Sequence, residues 1–294
     1  MIPSRLMATN ILCIAGPTAS GKSARAVEEA LARNGEIISV DSRQVYRGLD
    51  IGTEKITREE MRGVPHHLID IRDPQENYSA GDFVADATRL IEEISARGTL
   101  PILVGGTHFY FDALLSGLPT GVDANPKLRE ELETLSTEEL YARVRASDAR
   151  RAAELDPNNR RRLIRALEII ASLGSVPSRS SLIVPIGRNK EYGVEWIVID
   201  PPMEELRKRI DARLASALER GLVDEVRRVR EQVGDARLNE LGLEYKVVGE
   251  FLQKCPTPSV GQAEAALLPT LSAKLWQYAR RQKAWLRKLG HPVS

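Results

Sequence analysis

In the first third of the chain, short apolar runs alternate with stretches in which apolar residues recur every three or four positions. The runs are typical of parallel strands buried on both faces. Three of them are residues 11–15, 36–40 and 100–104. The stretches between them predict helices, as in residues 24–33, whose apolar face is formed by Ala26, Val27, Ala30 and Leu31. This alternation predicts an α/β fold, a parallel sheet flanked by helices.

The pattern changes in the middle of the chain. Residues 121–190 predict charged helices without a clear strand. A further strand follows at 195–200, and the next helix carries an apolar stripe of Leu206, Ile210, Leu214 and Leu218. We therefore predict an inserted all-helical domain, residues 121–190, within a core formed by residues 1–120 and 191–294.

Composition limits the classes of protein to which the chain can belong. Its 294 residues are 42% hydrophobic and carry a net charge of +1, enough apolar material for a full core. The two cysteines, Cys13 and Cys255, suit a reducing compartment, and no stretch is long and apolar enough to span a membrane. We expect a cytoplasmic protein without a membrane segment.

The first apolar run leads into a loop with the pattern G-x-x-x-x-G-K-[ST]. Between a strand and a helix, such a loop surrounds phosphate with backbone N–H groups and a lysine, and its last hydroxyl can bind Mg²⁺. We predict Mg²⁺ as the cofactor, bound at Ser23. The predicted phosphate-binding residues are Gly16, Pro17, Thr18, Ala19, Ser20, Gly21, Lys22 and Ser23.

Two further polar residues follow predicted strands. Asp41 ends the second strand, and Thr107 follows Gly105-Gly106 after the third. Ligands bind at the carboxyl edge of parallel sheets, so Asp41 is a candidate for chemistry, with a helix cap as the alternative. The third strand ends without a carboxylate, which makes a nucleotide-hydrolysing motor a weaker hypothesis.

An ordered set of motifs resembles the tRNA dimethylallyltransferase family of bacterial type. The likeness extends from about residue 11 to residue 287 and implies a P-loop NTPase-like core. The motifs are Gly16-Pro-Thr-Ala-Ser-Gly-Lys-Ser, Asp41-Ser-Arg-Gln-Val-Tyr, Asp50-Ile-Gly-Thr, Pro65-His-His-Leu-Ile-Asp-Ile, Leu103-Val-Gly-Gly-Thr and Arg162-Leu-Ile-Arg-Ala-Leu-Glu. Two segments depart from the family. His108-Phe109 follows Gly-Gly-Thr where many members have Gly-Leu, and Leu241-Gly-Leu-Glu-Tyr-Lys replaces the commoner Ile-Gly-Tyr-Lys.

The resemblance implies transfer of a dimethylallyl group from dimethylallyl diphosphate to the exocyclic amine (N6) of the adenosine just 3′ of a tRNA anticodon. It implies Asp41 as the base, with Thr107 and Arg213 acting beside Lys22 and Ser23 on the departing diphosphate. We expect a monomer, with Arg280, Lys283 and Arg287 along an exposed stripe of a last helix at about 262–289. The implied tRNA-binding residues are Asp41, Ser42, Arg43, Gln44, Arg129, Arg161, Arg162, Arg165, Lys246, Arg280, Arg281, Lys283 and Arg287.

Three other functions are compatible with parts of the pattern. An adenylate isopentenyltransferase shares the loop and the base but acts on free AMP, ADP or ATP. A small-molecule kinase binds ATP in the same loop. A nucleotide-gated RNA-binding module uses the loop as a switch without catalysis. The helical insertion and the basic last helix favour the tRNA enzyme, because a small acceptor needs neither.

Overall fold

The computed structural model describes residues 9–118, 122, 125–178 and 192–287. The chain divides into two compact units, one formed by Met1–Ala113 with Ile186–Ser294 and the other by Leu114–Pro185. The domain borders predicted after residues 120 and 190 both fall on residues outside those described.

The first unit contains a five-stranded, fully parallel sheet in the order β3-β2-β4-β1-β5. In register, Ala15 lies opposite both Gly105 and Val198, and Val40 also lies opposite Gly105, so these strands end at one edge. The predicted parallel α/β sheet is confirmed. The strands are β1 Thr9–Ala15, β2 Gly35–Val40, β3 His66–His67, β4 Leu100–Gly105 and β5 Tyr192–Val198.

Helices connect and cover these strands, several of them starting at side-chain caps. Ser79 with Asp82, and Ser259 with Gln262, form capping boxes that satisfy the first N–H groups of their helices. The helices are α1 Lys22–Arg33, α2 Arg58–Met61, α3 Ala80–Ala96, α4 His108–Ser116, α5 Pro126–Glu133, α6 Thr137–Ser147, α7 Ala149–Glu154, α8 Arg160–Leu173, α9 Met203–Glu219, α10 Leu222–Leu238, α11 Leu243–Lys254 and α12 Val260–Leu286.

The prediction of the buried α1 face is wrong for one of its four residues. Ala26, Val27 and Ala30 are buried, but Leu31 is 47% exposed. Leu31 therefore lies outside the buried face of the helix, which Ala26, Val27 and Ala30 form. By contrast, the stripe predicted along α9 is confirmed, because Leu206, Ile210, Leu214 and Leu218 are all buried in the core that α9 shares with α12.

The second unit is built from α5 to α8. Its core contains Leu140, Val144, Leu163 and Ile164, which the spacing of apolar residues along α6 and α8 brings to their inner faces. Asn159 caps α8 by accepting the N–H of Arg162, and Gly174 ends it in the left-handed conformation that glycine adopts most easily. Within the described part of the chain, no helix is long and apolar enough to cross a membrane.

Candidate active site

A cavity of about 690 Å³ opens in the first unit at the carboxyl edge of the sheet. The loops after β1, β2 and β4 form one side of it, through residues 18–23, 41–44 and 105–107. Residues 241–245 and Arg213 also line it. The structure therefore brings together most of the residues predicted to bind the donor and to act in catalysis.

The phosphate loop lines the cavity from Thr18 to Ser23, whereas Gly16 and Pro17 are not among the lining residues. The space around Gly16 is too small for any side chain. A Cβ at this position would lie 2.5 Å from Ser20 Oγ and 2.9 Å from the Ile199 carbonyl oxygen. Gly21 has φ +89° and directs the chain into α1, whose amino end has no side-chain cap. Uncapped N–H groups at a helix start favour an anion.

Lys22 supplies the positive charge of this loop. Its Nζ lies 3.4 Å from the Pro17 carbonyl oxygen. Burial lowers the pKa of Lys22 to about 8, with the nearby Asp41 opposing this shift and Arg213 adding to it. A bound anion would remove part of the cost of burying this charge, so the site is electrostatically matched to phosphate.

The Asp41 carboxylate lies at the end of β2 and organises a turn. Its Oδ1 accepts the backbone N–H groups of Arg43 (2.8 Å) and Gln44 (3.2 Å). The alternative prediction of a helix cap is wrong, because a turn follows Asp41 and the next helix, α2, begins only at Arg58. Within the described residues, both hydrogen bonds that the Asp41 carboxylate accepts go to its Oδ1.

Thr107 connects β4 to the same turn. Its Oγ1 accepts the N–H of Ser42 at 3.3 Å, and its own N–H donates to the Val40 carbonyl at 3.3 Å. Thr107 also lines the cavity, directly before α4. The loops after β2 and β4 are thus held together beside the phosphate loop.

Two arginines from α9 reach the phosphate loop. Arg209 donates to the Ser20 carbonyl at 3.1 Å, and Arg213 donates to Thr18 Oγ1. The Nη2 atom of Arg213 also lies 3.5 Å from the Gly52 carbonyl. The predicted position of Arg213 beside the donor site agrees with this geometry, while the contact of Arg209 adds a second cation that the prediction left out.

Sequence reasoning missed Glu225, a buried carboxylate on α10. It accepts the N–H groups of Asp50 (3.0 Å), Ile51 (2.8 Å) and Gly52 (2.9 Å) and the Tyr245 hydroxyl (2.6 Å). The Asp50-Ile-Gly-Thr motif is therefore folded around one distant acid, and its Gly52 carbonyl then faces Arg213. The motif itself was visible in the sequence, but nothing in it indicated its partner.

The prediction for Lys283 requires a correction. Lys283 is 5% exposed, donates to the Pro201 carbonyl at 2.7 Å and pairs with Asp200. It therefore does not belong to an exposed stripe on α12. The face of α12 that carries Lys283 packs on the core, and an ammonium group buried there requires an acid as partner.

Its neighbour Gln282 is also buried and was not predicted as a site residue. Its Oε1 accepts the Thr18 N–H and its Nε2 donates to the Gly106 carbonyl, both at 2.9 Å. The remaining basic residues predicted on this part of the first unit are exposed: Lys246, Arg280, Arg281 and Arg287.

In the second unit, two of the four predicted tRNA-binding arginines have a protein partner. Arg129 binds the buried Glu168 with two hydrogen bonds of 2.8 and 3.0 Å, and Arg165 binds Glu168 at 3.3 Å and the Val122 carbonyl at 2.9 Å. Arg161 and Arg162 are exposed. Burial acts to raise the pKa of Glu168, but the hydrogen bonds from Arg129, the Asn125 N–H and Arg165 outweigh it and the pKa lies below its usual range.

Ser23 is the residue predicted to bind a metal ion. Ser23 lines the cavity, and the described residues contain no group of three His, Cys, Asp or Glu side chains arranged to hold an ion. Mg²⁺ at phosphate sites commonly takes only one or two protein ligands and completes its shell with phosphate oxygens and water. A single hydroxyl beside the phosphate loop fits that type of site.

Comparison with known proteins places this geometry in a family. A family model described as IPP transferase matches residues 44–289. The curated tRNA dimethylallyltransferase of Thermomicrobium roseum is 42% identical over 287 residues, covering 95% of this chain and 84% of that protein. The one of Anaeromyxobacter sp. (strain Fw109-5) is 41% identical over 283 residues, covering 95% of this chain and 91% of that protein.

Solved structures agree with these matches. The full-length tRNA isopentenylpyrophosphate transferase from Bacillus halodurans is 38% identical with a TM-score of 0.67, covering 95% of this chain and 87% of that one. A eukaryotic dimethylallyltransferase acting on tRNA is 29% identical with a TM-score of 0.78, covering 95% of this chain and 70% of that one. The resemblance that the motifs indicated is confirmed, and this chain belongs to the IPP transferase family.

Proposed function

We propose that the protein transfers a dimethylallyl group from dimethylallyl diphosphate to N6 of the adenosine 3′-adjacent to the anticodon in tRNA, releasing diphosphate. One observation carries the proposal. A single cavity combines the phosphate loop from Thr18 to Ser23, Arg213 bonded to that loop and the carboxylate of Asp41. Family membership supports the same reaction class.

The donor diphosphate binds at the phosphate loop. The N–H groups at the start of α1 and the ammonium group of Lys22 face its oxygens, and Arg213 adds a planar set of donors. As the bond between the dimethylallyl carbon and the diphosphate oxygen breaks, negative charge grows on the leaving group. Fixed positive groups stabilise that charge without having to reorganise, which lowers the barrier.

Asp41 acts on the acceptor. The adenine amine is a weak nucleophile because its lone pair is delocalised, so a proton must leave N6 as the new N6–carbon bond forms. The turn bonds of Asp41 use Oδ1, which leaves Oδ2 to take this proton. Thr107, whose Oγ1 accepts the Ser42 N–H, keeps the turn 41–44 beside the leaving group and can donate its hydroxyl proton to a diphosphate oxygen.

Mg²⁺ is part of the proposal, with Ser23 as its protein ligand and diphosphate oxygens and water completing its shell. When bound, the ion neutralises charge on the diphosphate. This adds to the effects of Lys22 and Arg213 without replacing them.

The exposed basic side chains bind the RNA backbone. In the first unit these are Lys246, Arg280, Arg281 and Arg287, and in the second unit Arg161 and Arg162. Arg129 and Arg165 contribute their outward-facing edges, since 48% and 38% of these side chains are exposed. Residues 41–44 meet the target base, which must leave the anticodon stack to reach a cavity.

We propose that the insertion, residues 121–190, contacts tRNA and that the enzyme is a cytoplasmic monomer.

The decisive experiment offers radiolabelled dimethylallyl diphosphate with tRNA or with AMP, ADP and ATP as acceptors. Labelled tRNA, with the label on the adenosine after the anticodon, supports the proposal. Label on the free nucleotides instead would identify an adenylate isopentenyltransferase. In a parallel reaction with γ-labelled ATP in place of the donor, label on a small molecule would identify a kinase. No transfer in either reaction, with retained nucleotide-dependent RNA binding, would identify a binding module.

A further inference from the structure

One turn of α12 is attached to several segments of the first unit by polar side chains. Gln282 bonds the loops after β1 and β4, Lys283 bonds the Pro201 carbonyl after β5, and the indole N–H of Trp285 donates to Asp112 on α4 at 3.2 Å. Only the Gln282 contact involves the phosphate loop. This contact differs from the others because it reaches the residues that surround the donor.

The side chain of Gln282 is buried and tightly enclosed between its two partners. It is 3% exposed, and a Cβ on Gly106 would lie only 2.4 Å from its Nε2. The Thr18 N–H requires an acceptor, the Gly106 carbonyl takes a second donor beside the His108 N–H, and a neutral amide supplies both within one planar group. A carboxylate lacks the donor, and an apolar side chain leaves the Thr18 N–H unpaired and removes one of the two donors to Gly106.

The partners of Gln282 lie directly beside groups that the proposed function uses. Thr18 also accepts from Arg213 through its hydroxyl, and Gly106 precedes Thr107. Gln282 itself lines the cavity. Because the Thr18 N–H is used by Gln282, the bridge fixes the start of the loop.

We propose that Gln282 is a positioning residue for the diphosphate. It joins the phosphate loop to the Gly105-Gly106-Thr107 loop and so holds the donors of both loops at one spacing. This inference deepens the proposed function, on which it rests for the identity of the donor. It also gives α12 a second task, since its buried face supports the donor site while Arg280 and Arg281 on its exposed face bind RNA.

The test compares Gln282→Met with two matched variants on the same helix. Trp285→Phe removes one polar bond of the same turn that does not reach the phosphate loop, and Gln277→Met changes an exposed glutamine. Binding of inorganic pyrophosphate is measured by calorimetry, together with KM and kcat for the donor at saturating tRNA and KM for tRNA at saturating donor. For Gln282→Met we expect pyrophosphate affinity to fall roughly tenfold or more, the scale of one buried backbone group left unpaired, with the KM of tRNA unchanged.

Trp285→Phe and Gln277→Met should bind pyrophosphate like the unaltered protein. The inference is overturned if Gln282→Met does so too, or if Trp285→Phe weakens pyrophosphate equally. Gln282→Asn covers the case in which Gln282→Met does not fold. Its shorter amide reaches only one partner, so pyrophosphate affinity should again fall, and normal affinity would overturn the inference. Because pyrophosphate binding needs no transfer, a protein that binds it in this Gln282-dependent way but prenylates no tRNA refutes only the proposed function.

Discussion

Arg213 and Glu244 form an ion pair inside the cavity, with Nη2 of the arginine 3.4 Å from Oε1 of the glutamate. Burial raises the pKa of Glu244, although Arg213 acts in the opposite direction. Glu244 belongs to the segment in which this chain departs from the commoner family pattern. The pair holds the guanidinium between Glu244 and Thr18, two residues after Gly16 at the start of the phosphate loop.

Replacing Arg213 by lysine tests whether guanidinium geometry matters. Arg213→Lys keeps the charge but cannot contact Thr18, Gly52 and Glu244 together, so we expect transfer to slow by roughly 10²-fold, the scale of one lost transition-state donor. The melting temperature should change little. Single-turnover kinetics and a melting curve check this. The control is Arg207→Lys, at another position on α9. The guanidinium of Arg207 stacks on the ring of Trp276, which belongs to α12. A protein that melts early but transfers normally per folded molecule would make Arg213 structural.

Asp41→Asn isolates proton transfer from structure. The Oδ1 of asparagine can still accept the Arg43 and Gln44 N–H groups, so the turn should persist. We expect single-turnover transfer at saturating tRNA to fall by roughly 10²-fold or more, with tRNA affinity nearly intact. Asp73→Asn, at an exposed acid paired with Arg47, serves as the control. Normal turnover in Asp41→Asn would leave Asp41 with only its role in the turn.

The lowered pKa of Lys22 predicts a pH dependence of donor binding. Lys22 is charged below about pH 8 and neutral above it in the free protein, and only the charged form attracts diphosphate. Donor kcat/KM, which reports the free enzyme, should therefore fall as pH rises through about 8. In Lys22→Arg the guanidinium stays charged, so the variant's kcat/KM should lack this decline, and the ratio of wild-type to variant kcat/KM should fall as pH rises through about 8. A ratio independent of pH would contradict the assignment.

The exposed arginines predict a salt dependence. Each phosphate neutralised by arginine or lysine releases counterions, so Arg161→Ala, Arg280→Ala and Arg287→Ala should each weaken tRNA binding and flatten its log–log salt slope by up to about 0.9. Transfer at saturating tRNA should persist. Arg89→Ala on α3, an exposed arginine within a local ion-pair cluster, is the control. Unchanged affinity and slope in all three variants would favour a free-nucleotide acceptor.

Arg129 should behave differently from Arg161. Arg129→Ala removes two hydrogen bonds from the buried Glu168, and we expect the second unit to lose about 1–3 kcal/mol of stability. Glu168 has a lowered pKa in the folded protein, so its contribution is complete above its usual pKa of about 4.5 and is lost as pH falls through the folded value. Chemical denaturation across this range tests both statements, with Arg161→Ala expected to be as stable as the unaltered protein.

Local patterns predicted the elements, because strand runs and helical stripes depend on neighbours a few residues apart. The buried stripe of α9 and the parallel sheet were therefore accessible from sequence. Periodicity does not tell which polar residues of a helix face inward. Lys283 and Gln282 appear as part of a basic surface until Asp200 and Thr18 are placed beside them. Glu225 was missed for the same reason, since its three backbone partners lie more than 170 positions away in the chain.

The Thr18–Gln282 hydrogen bond also has a consequence for synthesis of the chain. Its two residues are 264 positions apart, so at typical translation speeds the phosphate loop leaves the ribosome roughly 10–50 s before its amide partner exists. The sheet and the insertion can form during that interval, but the loop lacks one of its supports. The nascent protein should therefore acquire its capacity for pyrophosphate abruptly, at the moment the last helix docks.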